Sequence, residues 1–143
     1  MIARSMLSPA DSVITETDFD RLSGVIDSPR YRATHSVLLR TLKDELARRK
    51  VVASNEVSRG IVTMHSLVQV LDVKSGESET YTLVYPDEAD IDEGKLSILA
   101  PLGTALLGTR IGQTIKFEAP AGTRKLRIEK ILYQPEAAGD FHL

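Results

Sequence analysis

The stretch Leu96-Ser-Ile-Leu-Ala-Pro-Leu-Gly-Thr-Ala-Leu-Leu-Gly-Thr-Arg-Ile-Gly-Gln113 constrains this chain more than any other. An apolar run, Leu96 to Leu99, reads as a short strand. It breaks at Ala100-Pro101, where proline fixes φ and suits the first position of a helix. Pro101 to Leu107 then has room for about two helical turns, with Leu102, Ala105 and Leu106 facing one core. Gly108 stands where a helix end needs a left-handed residue, and Gly112 supplies a second turn. Strand, short helix and strand joined by tight turns make a scaffold corner. It contains no metal ligand and no activated nucleophile.

Periodicity organises the rest. Thr15 to Asp18 carries an N-cap signature, with acids in the first turn to complement the helix dipole. Phe19, Leu22, Val25 and Ile26 follow at helical spacing, which predicts a helix over about 17–27. Ser28-Pro29 stops it, because proline disfavours helix in the residue before it. Residues 28–34 read as a turn, with Thr34 or Ser36 as the cap of a second helix over 35–50. Leu38, Leu39, Leu42 and Leu46 form its stripe, and Asp44–Arg48 and Glu45–Arg49 are i,i+4 pairs on its outer face. Two such helices joined by a short turn are expected to pack antiparallel. Residues 1–16 read as a loose leader.

Beyond residue 52 the period changes to two. A strand is expected over 61–73, a turn at Lys74-Ser75-Gly76-Glu77, and a strand from Thr80 to Tyr85. An acidic loop (87–95) leads into the corner. Strands Thr114–Glu118 and Arg124–Tyr133, joined at Ala119-Pro120-Ala121-Gly122, complete the domain. The division is therefore 1–52, leader and short coiled-coil helical hairpin, and 53–143, a β domain. Nine basic and seven acidic residues precede position 53, against nine and thirteen after it.

Composition excludes several functions. The net charge is −2, whereas non-specific nucleic-acid binding relies on a basic surface. With no cysteine there is no disulfide, thiolate metal site or thiol nucleophile, and a reducing compartment fits. No apolar run approaches the ~20 residues that cross a bilayer. No signal-type apolar segment follows the first residues, so the chain is expected in the cytoplasm.

His35, His65 and His142 lack helical zinc spacing and read as surface or solitary structural residues. Asp87, Glu88, Asp90, Asp92 and Glu93 do not fit a calcium loop, since Gly94 comes late and the twelfth-position Glu is missing. They read as a solvated loop. No G-x-S-x-G elbow is present, and Gly103, Gly108 and Gly112 spell no phosphate loop and are assigned to turns. Arg48-Arg49-Lys50 ends a helix, where cations suit the dipole. No catalytic residue, cofactor or metal is expected. A binding module remains, with Leu99, Ala100, Pro101 and Leu102 as an apolar contact; Leu99 and Leu102 read equally well as core, while Pro101 is expected to be exposed.

The pattern (I/L)-S-x-x-x-P-x-x-x-A-L-(L/I)-G-x-x-x-G across Leu96–Gly112 resembles the bacterial Gre transcript-cleavage factors. So do Val62-Thr63-Met64, Thr82-Leu83-Val84-Tyr85-Pro86 and the tail Tyr133–Asp140. The resemblance is closer still to the shorter Rnk branch of that superfamily, regulators of nucleoside diphosphate kinase, and covers about residues 17–143. It implies an α+β fold: a short antiparallel helical hairpin followed by an FKBP-like antiparallel β domain with one short helix. It also implies docking on RNA polymerase near its secondary channel, with the hairpin pointing inward. In cleavage factors an Asp-Ser-Pro at the corner contacts the polymerase; here Leu99-Ala100-Pro101 keeps only the proline. Cleavage factors also carry a D-x-x-D/E pair at the hairpin tip to help hold a catalytic Mg²⁺. Here the tip reads Asp27-Ser28-Pro29-Arg30-Tyr31, with Arg30 at the acid's place. An arm of about 16 residues reaches only ~24 Å.

These features imply a monomeric, non-enzymatic regulator that binds polymerase without stimulating cleavage and competes with Gre-type factors. No membrane partner and no sequence-specific nucleic-acid contact are expected. Two alternatives are an FKBP-like prolyl isomerase, disfavoured by an aromatic content of 5%, and a direct protein partner of nucleoside diphosphate kinase.

Overall fold

The computed structural model describes residues 12–143. The leader therefore lies outside the described residues up to position 11. From Ser12, which is buried, the chain is already structured. Strand β1 (Val13–Thr15) pairs in parallel with β2 (Lys50–Val52), Ile14 facing Val51. Between these strands run α1 (Glu16–Asp27), the single turn α2 (Pro29–Arg32) and α3 (Ser36–Ala47). The helical segment thus leaves from and returns to one small β pair.

The helices form where their stripes predict. Thr15 caps α1, its hydroxyl accepting from the Asp18 N–H at 3.1 Å. Leu22, Leu39, Leu42 and Leu46 are buried. Proline occupies the first position of α2, so residues 28–34 contain a helical turn rather than a plain one. Neither Thr34 nor Ser36 caps α3: His35 stands at the cap without a side-chain bond. Helix α3 ends at Ala47, and Lys50 belongs to β2 because its N–H is taken by the Ser12 carbonyl at 3.0 Å.

A five-stranded sheet has the order β5-β4-β3-β7-β6, built from β3 (Leu67–Asp72), β4 (Ser78–Val84), β5 (Lys95–Ser97), β6 (Thr114–Ala119) and β7 (Gly122–Tyr133). It is not wholly antiparallel, since β4 and β5 run parallel. The strand expected from residue 61 begins only at Leu67. His65 adopts φ +67°, and the Ser66 hydroxyl accepts from the Thr63 N–H at 2.9 Å, so residues 63–66 turn instead of extending. Val62 and Met64 are nevertheless buried, which is why they read as strand positions. Residues 86–93 form two 3-10 turns, Pro86–Glu88 and Ile91–Glu93.

Helix α4 (Pro101–Leu106) is buried from Leu102 onward. The tail turns into α5 (Pro135–Ala138) and packs: the buried Gln134 amide donates to the Ser58 and Ile61 carbonyls at 2.8 and 2.7 Å. One buried cluster runs from Ile14, Leu22 and Leu42 through Val68, Leu83 and Leu106 to Ile128, so helices and sheet share a core. No helix among the described residues is long and apolar enough to cross a membrane.

Candidate functional site

The corner folds as its residues dictate. Pro101 starts α4, and the Thr104 hydroxyl donates to the Ile98 carbonyl at 2.7 Å, locking helix to strand. Gly103 is not a turn residue. It sits within α4, where a Cβ would lie 2.1 Å from the Ser97 carbonyl oxygen, so only glycine allows this backbone approach. Gly108 has φ +80°, and its bare Cα leaves room for Arg49 Nε, which would lie 2.8 Å from a Cβ.

Of the predicted contact residues, Leu99 and Leu102 are 3% and 7% exposed, Ala100 is half-buried, and Pro101 alone is exposed. Leu99 and Leu102 face the core, so the apolar contact expected of them is not on the surface. Pro101 instead edges a small cavity of about 250 Å³ between α3 and α4, shared with Leu38, Thr41, Leu99 and Ala105.

At the other end of the helices, Asp27, Pro29 and Arg30 are exposed and Tyr31 is half-buried. The Arg30 guanidinium lies 5.2 Å from the centre of the Tyr31 ring. Arg32 donates to the Asp27 carbonyl at 3.4 Å. The tip is therefore one carboxylate among three nearby cationic or aromatic groups, without a second acid.

Two ions point inward: Arg49, expected on the outer face of its helix, and Asp18, expected only as a first-turn acid. Arg49 is 6% exposed; its Nε and Nη2 donate to the Leu107 carbonyl at 3.2 and 2.8 Å, and its Nη1 to the Glu45 carbonyl and carboxylate at 2.7 and 3.0 Å. The i,i+4 pair with Glu45 forms as expected, while the guanidinium fastens α3 to the corner.

Asp18 is 1% exposed. Its Oδ2 accepts from the Met64 N–H at 3.0 Å, 46 positions away, and Oδ1 has no hydrogen-bond partner among the described residues. Burial pushes its pKa up to about 6, against the Met64 bond that lowers it, with Glu136 adding to the rise. Among the described residues His65 Nδ1 is also buried without a hydrogen-bond partner, and burial, with Asp18 nearby, raises the Tyr85 pKa against the Arg21 side chain, which lowers it. His65 Nε2 meets Glu88 Oε1 at 2.9 Å, so one residue of the exposed acidic loop also reaches back to the seam. The adjoining cavity, about 580 Å³, lies between α1 and the Tyr85–Glu88 turn and includes Arg21, Val25 and Tyr31. Sequence reasoning missed this seam: a first-turn Asp and a lone His carry no signal of what the fold brings against them. Among the described residues, no group of three or more His, Asp or Glu could hold a metal ion.

The family model "Transcription elongation factor, GreA/GreB, C-term" matches residues 57–133, and "Rnk N-terminus" matches 13–52. The "Regulator of nucleoside diphosphate kinase" of Escherichia coli (strain K12) is 36% identical over 132 residues, covering 92% of this chain and 96% of that protein. "Transcription elongation factor GreA" of Thermodesulfovibrio yellowstonii is 34% identical over 96 residues, 67% of this chain and 61% of the relative. Among solved structures, a GreA/GreB elongation factor from Nitrosomonas europaea is 35% identical with a TM-score of 0.71, over 85% of this chain and 99% of that one.

Proposed function

The chain belongs to the family that joins the regulators of nucleoside diphosphate kinase to the GreA/GreB elongation factors, and on that premise we propose that it is a non-enzymatic transcription regulator that docks on RNA polymerase near the secondary channel without stimulating transcript cleavage. The observation that carries this reading is the tip. Cleavage stimulation needs paired carboxylates to help hold a metal ion; here Asp27 is followed at i+3 by Arg30, exposed and seated on Tyr31. A cation at that place repels the metal that a second acid would attract.

Two further features support it. Helices α1 and α3 have 12 residues each, about 18 Å of reach at ~1.5 Å per residue, and their apolar faces are spent on the shared core. They form a blunt hairpin that obstructs rather than delivers a metal ligand. The sheet curving over α4 takes the part of the FKBP-like docking domain, with Pro101 and the apolar cavity beside it as the polymerase contact. Control of nucleoside diphosphate kinase then runs through transcription.

The test is a competition assay with purified RNA polymerase and a GreA-type factor. The chain is expected to bind, to lower GreA-dependent cleavage, and to add none of its own; Pro101→Glu weakens binding while leaving the circular dichroism spectrum unchanged. Failure to bind, or stimulated cleavage, refutes the reading.

A further inference from the structure

The β domain is acidic overall, yet four of its nine cations line one cleft at one end of the sheet. Lys116 of β6 and Lys125 of β7 stand directly opposite each other in the antiparallel register. Like charges placed so destabilise a sheet. Lys74, in the turn after β3, joins them around one cleft of about 520 Å³, together with Asp72, Val73, Thr123 and Arg124. The Val73 N–H donates to the Lys125 carbonyl at 3.1 Å, which fixes the turn beside β7.

The carboxylates nearby are already engaged. Arg124 donates to Asp72 Oδ2 at 2.9 and 3.3 Å and to both Glu79 oxygens at 3.2 Å, and the Asp72 carboxylate also accepts from the Lys74 and Ser75 N–H groups. The Arg124 bond holds the Asp72 carboxyl below the usual carboxylate range, so it stays charged and bound to the arginine. Thr123 is likewise turned to Glu118, its hydroxyl donating at 2.6 Å. None of Lys74, Lys116 and Lys125 forms an ion pair among the described residues. Arg124 offsets one of the two carboxylates Asp72 and Glu79, and with Glu118 also counted the three lysines that line the cleft leave this neighbourhood net positive by one.

We propose that this cleft binds a small molecule carrying a di- or triphosphate group. Lysines act on phosphate as point charges on flexible stems, so three of them match several phosphate charges without demanding one fixed geometry. A single phosphate engages them incompletely, whereas a triphosphate spans all three. The volume lies within the range of small-ligand sites, and exposed Val73 offers an apolar surface for a group attached to the phosphates. A compact ligand fits better than a polymer, because the unpaired lysines converge on one cleft instead of tracking a strand. The cleft shares no residue with the corner, the tip or the Asp18 seam, so a chain that fails to bind polymerase still binds phosphates.

Calorimetric titration of the full chain at low salt with orthophosphate, tripolyphosphate, a nucleoside triphosphate and a single-stranded oligonucleotide tests this. Tripolyphosphate is expected to bind at least tenfold more tightly than orthophosphate, more weakly as salt rises. Equal binding of the nucleoside triphosphate assigns recognition to the phosphates alone, and tighter binding adds a base or sugar contact; both support the site. Lys116→Gln and Lys125→Gln should each weaken tripolyphosphate about fivefold and the double variant more than tenfold, with Lys130→Gln unchanged. The double variant should also melt at a higher temperature without ligand, since the facing charges are gone. Wild-type affinity in the double variant, no preference over orthophosphate, or tighter binding of the oligonucleotide overturns the proposal.

Discussion

Arg49 and Asp18 are both charged, both buried, and both cross from the helical layer to the backbone of the β domain, yet they hold it differently. Arg49 meets two carbonyls, which do not titrate, and the Glu45 carboxylate, so each nitrogen of its guanidinium has an acceptor. Asp18 holds one N–H through one oxygen, and its other oxygen has no hydrogen-bond partner among the described residues. A buried charge is tolerable when its hydrogen bonds replace those lost to water and costly when they do not. The corner is therefore held by a guanidinium with every nitrogen engaged, while the seam near the start of α1 rests on a half-satisfied carboxylate whose pKa burial raises.

The largest effect should come from breaking the Arg49 contacts. Arg49→Met keeps the apolar stem but leaves the Leu107 carbonyl buried without its donor, with an expected loss of about 3–5 kcal/mol. Urea unfolding should give the same loss at pH 5 and pH 8; a loss under about 1 kcal/mol would show that Arg49 is dispensable.

Next is Asp18→Asn. The native pKa of about 6 exceeds the ordinary value of 3.8, so the folded state binds this proton more tightly than the unfolded chain. The stabilisation is complete below about pH 3.8 and is lost as pH rises through 6. At pH 7 the buried carboxylate costs about 3 kcal/mol at most. Asparagine still accepts from Met64 and carries no charge. The variant should match wild type near pH 4 and be more stable by about 1–3 kcal/mol at pH 7. A difference that stays flat with pH would mean that the carboxylate is not desolvated at the seam.

The smallest effect sharpens the same contrast. Glu136 accepts from the Thr63 hydroxyl at 2.7 Å, and its charge helps to raise Asp18. Glu136→Gln keeps an acceptor and removes the charge, so the Asp18 midpoint, followed by carboxyl NMR, should move down from about 6 toward the ordinary value. Stability should change by only about 0.5 kcal/mol. An unmoved midpoint would place the whole rise on burial.

Much of this was legible without coordinates. The stripe Phe19, Leu22, Val25, Ile26 gave the extent of α1 to within a residue, because helical spacing needs only local neighbours. Pro101, Gly108 and Gly112 marked the corner for the same reason: their backbone preferences are intrinsic. The start of β3 was misplaced because buried Val62 and Met64 alternate like a strand while His65 turns the chain. Leu99 and Leu102 could be core or contact from their chemistry alone.

What the sequence by itself determined is thus the set of elements, their breaks, and the reversed charge at Arg30 beside the tip acid. Only the tertiary structure decided which way the ions face. Asp18 meets Met64 across 46 positions and Arg49 meets Leu107 across 58, and Lys74 joins Lys116 and Lys125 through the register of three strands. Periodicity and stereochemistry act over a few residues, whereas the surroundings of a charge are set by whatever the fold brings against it.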